Sequence, residues 1–185
     1  MKAVILSNGP SLKLWSVEDI LKLKPGYVIT VNAAIEHCPQ MVTHACIGDH
    51  NALLEYSEEV DKREILLITN RDQYWAALMK ATTPLGKVEI TRIGIDAIWW
   101  GRYGISATST SCSTAVKVAA RLEDVTEIDI LGVDMGGHDH AYGALPVGPF
   151  GVQGKNRWRK EIPLFEDACN EVIARNVVVN RRDKP

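Results

Sequence analysis

Residues 3–11 read AVILSNGPS, four consecutive apolar residues that run into a short polar turn containing Gly9 and Pro10. Four later apolar runs end in the same way, in small polar or acidic residues. They are Val28–Val31 before Asn32, His44–Ile47 before Gly48 and Asp49, Ile65–Thr69 before Asn70, and Ile128–Leu131 before Gly132 and Asp134. Buried strands of parallel sheets are continuous apolar runs of this kind. Because ligands of open α/β sheets bind beyond the carboxyl ends of the strands, the pattern predicts a ligand site along one edge.

Helical spacing of apolar residues alternates with these strands, which is typical of βα units. The stretch Ser16–Asp19 has the form of a capping box before a helix that should stop near Pro25. Val88–Ile90 predicts a fifth strand or an edge strand. We therefore expect one domain over residues 1–185, with a Rossmann-like, open, mostly parallel sheet and helices on both faces.

Residues 136–160 are rich in glycine and show no clear period. Loops of this length in compact domains are usually functional or disordered, so we expect a flexible, lid-like loop there. An amphipathic helix marked by Ile162–Ile173 and a short strand at Val177–Val179 should follow it.

Composition points to a cytoplasmic protein. A formal net charge of -2 gives no global reason to expect a nucleic-acid partner, and no apolar stretch approaches membrane-spanning length. The N-terminus enters a strand without a signal-peptide pattern. The four cysteines show no CxxC spacing, which favours buried, reduced thiols. A homo-oligomer is compatible with all of this.

Three common site motifs do not occur in the sequence. The first turn is not GxGxxG, and Asn32 follows the second strand where a dinucleotide-binding dehydrogenase carries an acidic residue. There is no GxxxxGK[ST] and no GxSxG, which argues against a P-loop NTPase and an α/β-hydrolase. With these three classes of site excluded, we expect a crevice of the nucleotide-binding type, lined by neutral amides and hydroxyls.

Several polar residues at the strand ends are suited to a nucleotide. Gly9 allows close approach of a ligand to the backbone, and Ser11 can donate to a phosphate or cap the next turn. Asn32 and Asn70 can bind a base edge or a ribose hydroxyl, or cap local turns. Residues 108–114, TSTSCST, precede a helix, where hydroxyls and N–H groups form an anion site or an ordinary N-cap.

The densest chemical cluster is GVDMGGHDH, residues 132–140. Asp134, His138, Asp139 and His140 could supply a general base held by a carboxylate, or remain polar loop residues. The HxH spacing lacks further fixed ligands, so we predict no metal site.

Cationic, phenolic and indole groups could complete such a site. Tyr142, with the basic side chains of residues 155–159, could stabilise a departing phosphate or belong to a solvated face. Trp99, Trp100 and Trp158 could stack on a base or sugar, or anchor the core.

Three segments together resemble a group of Rossmann-like transferases: SNGPS (residues 7–11), VNAAIE (31–36), and TSTSCSTAVKVAARL followed by EIDILGVDMGG (108–122 and 127–137). The group includes the bacterial sialyltransferases of glycosyltransferase family 42. It also includes the DUF115 proteins, with the archaeal 6-hydroxymethylpterin diphosphokinase-like enzymes and motility accessory factors. Ser7 stands where those proteins have a glycine.

The resemblance implies a role for each matching residue. The nucleotide-binding set comprises Asn8, Gly9, Ser11, Asn32, Ser109, Ser111 and Asp134. His138 or His140 is implied as the general base, and Tyr142 as the group that assists the leaving phosphate.

Three functions follow as hypotheses. The leading one is a sialyltransferase-like glycosyltransferase that uses a nucleotide-sugar donor, needs no cofactor and acts on an unidentified acceptor. The alternative is pyrophosphoryl transfer from ATP, with Mg²⁺ held by Asp49, Asp134 and Asp139. The third is a non-catalytic binding or assembly protein that retains the fold.

Overall fold

The structure is a computed structural model, which describes residues 1–106, 109–134 and 154–182. Its strands are β1 (Lys2–Leu6), β2 (Tyr27–Val31), β3 (His44–Ile47), β4 (Leu66–Thr69), β5 (Ile98–Trp99), β6 (Glu127–Leu131) and β7 (Val178–Arg182). Its helices are α1 (Val17–Lys22), α2 (His50–Lys62), α3 (Arg71–Lys80), α4 (Pro84–Ile93), α5 (Ser111–Ala119) and α6 (Gly154–Ile173). Short 3₁₀ turns span Pro10–Leu14, Asn32–Glu36, Pro39–Met41 and Trp100–Tyr103.

The seven strands form one parallel sheet in the order β5-β4-β3-β2-β1-β6-β7, which confirms the predicted open α/β architecture. Side chains alternate between its faces. Ala3 and Ile5 of β1 pack with α5 and α6, whereas Val4 and Leu6 pack on the opposite face with α1 and the first 3₁₀ turn. Helices α2, α3 and α4 cover β3 and β4 on that second face.

The strand order reverses between β1 and β6. From β1 the chain builds the sheet outward to β5, and it then returns through α5 to place β6 on the other side of β1. This position is the topological switch point, where open α/β sheets leave a crevice at the carboxyl ends of the strands.

The expected strand at Val88–Ile90 is wrong, because these residues lie within α4. The Thr83 side chain caps this helix by accepting the Gly86 N–H, and Pro84 occupies the first turn, where its missing N–H costs nothing. Ile90 and Ile93 then fall on one buried side of the helix. The fifth strand is instead the two-residue β5.

Two local predictions are confirmed. Ser16 and Asp19 form the capping box that begins α1, and α1 ends before Pro25. The four cysteines are free thiols, of which Cys38, Cys46 and Cys169 are buried as expected and Cys112 is only partly buried. Among the described helices, none is long and apolar enough to cross a membrane.

The expected loop over residues 136–160 is only partly within the described residues. Helix α6 begins at Gly154, so residues 154–160 are helical rather than part of a loop. Residues 135–153 lie outside the described part of the chain.

Candidate functional site

Backbone hydrogen bonds join the turn after β1 to the end of β6. The Ser7 N–H donates to the Leu131 carbonyl and the Gly9 N–H to the Gly132 carbonyl, each at 2.8 Å. Gly132 has a φ of +73°, and a β-carbon there would lie 2.7 Å from the Ser7 carbonyl oxygen. Glycine at this position therefore permits the close approach of the two strand ends.

Asp134 extends this contact with a carboxylate. The Ser11 N–H donates to Asp134 Oδ2 at 2.6 Å. A β-carbon on Gly9 would lie 2.4 Å from both Asp134 Oδ2 and the Gly132 carbonyl oxygen. The chain's own β6 end thus requires glycine at position 9, and the turn donates its Gly9 and Ser11 N–H groups to protein oxygens. Asn8 lies partly buried within the same turn.

Asn32, directly after β2, has a left-handed backbone with a φ of +48°. This conformation is uncommon for a residue other than glycine, although asparagine tolerates it best. Its Oδ1 is covered and has no hydrogen-bond partner among the described residues. Because β2 pairs with both β1 and β3, Asn32 follows a strand that lies between the ends of those two.

The N-terminus of α5 lies over the same strand ends. Thr110 caps the helix by accepting the Ser113 N–H at 3.1 Å, and Ser109 directly precedes this cap. The Ser111 carbonyl accepts the thiol of Cys46, from β3, at 3.1 Å. Burial raises the pKa of the Cys112 thiol to about 12, an effect that a hydrogen bond with Ser7, after β1, partly opposes. The first residues of α5 therefore contact the strand ends on both sides of β2.

Two polar strand-end residues serve as helix caps. Asp49 accepts the N–H groups of Asn51 and Ala52 at the start of α2. Asn70 accepts the Asp72 N–H at 2.8 Å at the start of α3. Local capping was the alternative to nucleotide binding for Asn70, whereas Asp49 was considered only as a Mg²⁺ ligand and its capping role appears in the structure.

Trp100 lies beside the candidate site. From the sequence we expected its ring to stack on a base or sugar, or to pack in the core. Trp100 opens the 3₁₀ turn after β5 and is 3% exposed. A β-carbon on Gly48, after β3, would lie 2.7 Å from Trp100 Cη2 and 2.5 Å from Ser111 Oγ. The missing side chain of Gly48 thus lets the indole and the start of α5 meet.

Other candidates lie elsewhere. His138, Asp139, His140 and Tyr142 are outside the described residues. Residues 155–159 belong to the start of α6. Over the described part of the chain, no three or more His, Cys, Asp or Glu side chains are grouped to hold a metal ion.

Comparison with protein-family models, with curated proteins and with solved structures finds no match to this chain.

Proposed function

We propose that this chain is a glycosyltransferase of the sialyltransferase type, which binds a sugar donor linked to a nucleoside monophosphate at the β1–β6 switch point. The observation that carries the proposal is the hydrogen bond from the Ser11 N–H to Asp134 Oδ2 at 2.6 Å. It supports a ligand with one phosphate rather than two or three.

The turn after β1 is a common place for a diphosphate in sheets of this kind, because its N–H groups point at the ligand. In this chain the Gly9 and Ser11 N–H groups already donate to Gly132 and Asp134. A second phosphate would also meet the Asp134 carboxylate. Two like charges about 4 Å apart repel by roughly 4 kcal/mol near a protein surface.

The N-terminus of α5 offers a better place for a single phosphate. The first N–H groups of a helix lack partners within the helix and carry the positive end of its dipole. Thr110 caps the N–H of Ser113, which leaves the Ser111 and Cys112 N–H groups without a partner inside α5. The hydroxyls of Ser109 and Ser111 would add donors.

Asn32 would recognise the nucleoside. Its covered Oδ1 lacks a donor among the described residues, and leaving such an acceptor unpaired costs about 1–3 kcal/mol. A base amino group or a ribose hydroxyl would supply the donor. The Ser11 hydroxyl, which is also covered without a partner in the described chain, would contribute nearby.

In the transfer step, His138 or His140 would take the proton of the acceptor hydroxyl as its oxygen bonds to the sugar. The bond between the sugar and the phosphate oxygen breaks, and the phosphate keeps the electron pair. Donors at the start of α5, and Tyr142, would stabilise that charge. The roles of these two histidines and of Tyr142 stay predictions from the sequence.

Thermal unfolding with CMP, CDP, CMP-sialic acid and ATP, each with and without Mg²⁺, tests the choice of ligand. A ligand at 100 times its Kd stabilises a fold by about 2.7 kcal/mol, which shifts the melting temperature measurably. We expect shifts with CMP and CMP-sialic acid that do not need Mg²⁺. A Mg²⁺-dependent shift with ATP would instead indicate pyrophosphoryl transfer, and no shift with any nucleotide would indicate a non-catalytic protein.

The variant D134N tests the argument that the Asp134 carboxylate repels a second phosphate. Removing the negative charge should raise the affinity for CDP relative to CMP by about tenfold, which corresponds to roughly 1.4 kcal/mol. D49N is the matched control, because Asp49 caps α2 at another strand end and asparagine caps equally well. Equal CDP-to-CMP ratios in D134N, D49N and the unmodified chain would contradict the charge argument.

The rate at which the chain consumes CMP-sialic acid tests whether His138 or His140 is the general base. Alanine at the true base should lower the rate by about 10²–10⁴-fold with little change in donor affinity. Unchanged turnover in H138A, H140A and the double variant would reject both histidines.

A further inference from the structure

The indole N–H of Trp100 is a buried donor with no acceptor in the described part of the chain. Trp100 is 3% exposed, and Nε1 has no hydrogen-bond partner among the described residues. Buried tryptophans usually place this N–H against a partner, and a buried donor left unpaired destabilises the fold. A ligand that supplied an acceptor would remove this destabilisation.

The position of the indole indicates which ligand group would do so. A β-carbon on Gly48 would lie 2.7 Å from Trp100 Cη2, 2.9 Å from Cζ2 and 2.5 Å from Ser111 Oγ. Cζ2 is bonded to the ring carbon that carries Nε1, so this edge of the indole lies against Gly48, as the Ser111 hydroxyl does. The Cys46 thiol holds Ser111 in place by donating to its carbonyl at 3.1 Å.

The groups gathered here are hydrogen-bond donors. They are the Trp100 indole N–H, the Ser111 hydroxyl, and the Ser111 and Cys112 N–H groups at the start of α5. The nearby Asp49 carboxylate accepts N–H groups of α2. Several donors at the positive end of a helix match an oxyanion with several acceptor oxygens, which is the chemistry of phosphate.

We infer that Trp100 is a phosphate-binding residue, whose indole N–H donates to a phosphate oxygen held at the N-terminus of α5. This inference deepens the proposed function, because that phosphate would be the one that links nucleoside and sugar in the donor.

The turn that carries Trp100 contains two glycines. A β-carbon on Gly101 or Gly104 would meet nothing within 4 Å, and Gly104 ends the turn with a φ of +67°. Because Nε1 is covered and the indole packs within the core cluster beside α5, a phosphate oxygen reaches it only if the indole rotates.

The first test is an NMR titration of the unmodified chain with ¹⁵N-labelled indoles, using inorganic phosphate and then CMP. We expect the Trp100 N–H resonance to move saturably with both. The internal control is Trp15, which is also 3% exposed with an unpartnered Nε1 among the described residues but lies in the core cluster on the opposite face of the sheet. A Trp100 resonance that does not move, or that moves no more than that of Trp15, overturns the inference.

The second test compares W100F with W15F. Phenylalanine keeps an aromatic ring but removes the N–H, so W100F should raise the Kd for phosphate and CMP by about tenfold or more, and W15F should not. Phosphate or CMP that binds equally to W100F and the unmodified chain overturns the inference. If W100F fails to fold, the titration of the unmodified chain still decides.

The outcomes separate this inference from the proposed function. If phosphate moves the Trp100 resonance but nucleotides bind no more tightly than phosphate, the phosphate site stands and the proposed function fails. If CMP binds without involving Trp100, the nucleotide proposal stands and the inference fails.

Discussion

Asp129 in the middle of β6 and Asp134 just beyond its end are two carboxylates on one segment of chain in contrasting surroundings. The Asp129 side chain is fully buried, with Arg182 Nε at 2.7 Å, Lys2 Nζ at 3.0 Å and Asn180 Nδ2 at 3.0 Å. Asp134 is partly buried and accepts the backbone N–H of Ser11. A carboxylate inside the sheet is thus neutralised by neighbouring strands, whereas one at the carboxyl edge meets only a neutral donor among the described residues.

The partners of Asp129 come from the two strands that flank β6. Register pairs Asp129 with Val4 of β1 and Asn180 of β7, so Lys2 and Arg182 reach it from either side. Burial opposes ionisation, but Arg182, Lys2 and Asn180 outweigh it and hold the pKa of Asp129 below its usual value. This network ties three strands together.

The variant D129N should produce the largest loss of stability. Removing one partner of a buried ion pair typically costs about 3–5 kcal/mol. We expect about 3 kcal/mol, because Lys2 and Arg182 are 20% and 37% exposed and can be partly solvated. Urea denaturation measures this, and a loss no larger than that of D134N would contradict the contrast between the two carboxylates.

The dependence of stability on pH should show two stages below neutral pH. Burial lowers the pKa of His44 to about 4, so the unfolded chain binds more protons between about pH 6.5 and 4. Stability should therefore fall by up to about 3 kcal/mol as the pH drops through that window. The lowered pKa of Asp129 contributes stability that is present above about pH 3.9 and is lost only at lower pH.

Denaturation at a series of pH values, repeated with two variants, separates these stages. H44Q should lose the fall between about pH 6.5 and 4. D129N should reduce the fall below about pH 4 without abolishing it, because the lowered pKa values of Asp19 and Glu171 also contribute there. If H44Q retains the first stage, His44 is not its source.

The variant G9A tests the contact between the β1 turn and Asp134. The backbone at Gly9 has a φ of -80°, which alanine adopts readily, so any cost comes from the clash with Asp134 Oδ2 and the Gly132 carbonyl oxygen. We expect a loss of about 2 kcal/mol in thermal or urea unfolding. G101A is the matched control, because its β-carbon would meet nothing within 4 Å. Similar stability of G9A and G101A would argue against this contact.

The variant D134N should have the smallest effect on stability, within about 1 kcal/mol, because an asparagine oxygen can still accept the Ser11 N–H. Its effect should appear in ligand binding instead. A large loss of stability in the same urea experiment would place Asp134 with Asp129, as a structural carboxylate.

The fold was largely predictable because its signals are local. Five apolar runs ending in polar residues correspond to β1, β2, β3, β4 and β6. The capping box of α1 needed only four adjacent residues. The strand expected at Val88–Ile90 is wrong because Thr83 and Pro84 begin a helix that continues through these residues.

The roles of the polar strand-end residues were less predictable. Asp49 and Asn70 look like Asn32 in the sequence, since each follows an apolar run. In the structure the first two cap helices, while Asn32 keeps a covered oxygen without a partner among the described residues. Whether such a residue caps a helix or keeps an unpaired oxygen depends on the helix that follows it. The type of residue at the strand end does not determine this.

The parallel sheet, and the edge where its polar residues gather, follow from the amino-acid sequence, because strand periodicity and strand endings are properties of neighbouring residues. The contact of Asp134 with the turn at Ser11, 123 residues away, and the packing of Trp100 and Ser111 against Gly48 become visible only in the folded chain. These contacts arise where β6 returns beside β1 and where α5 crosses the strand ends. They depend on packing between distant segments, which leaves no periodic signal in the chain.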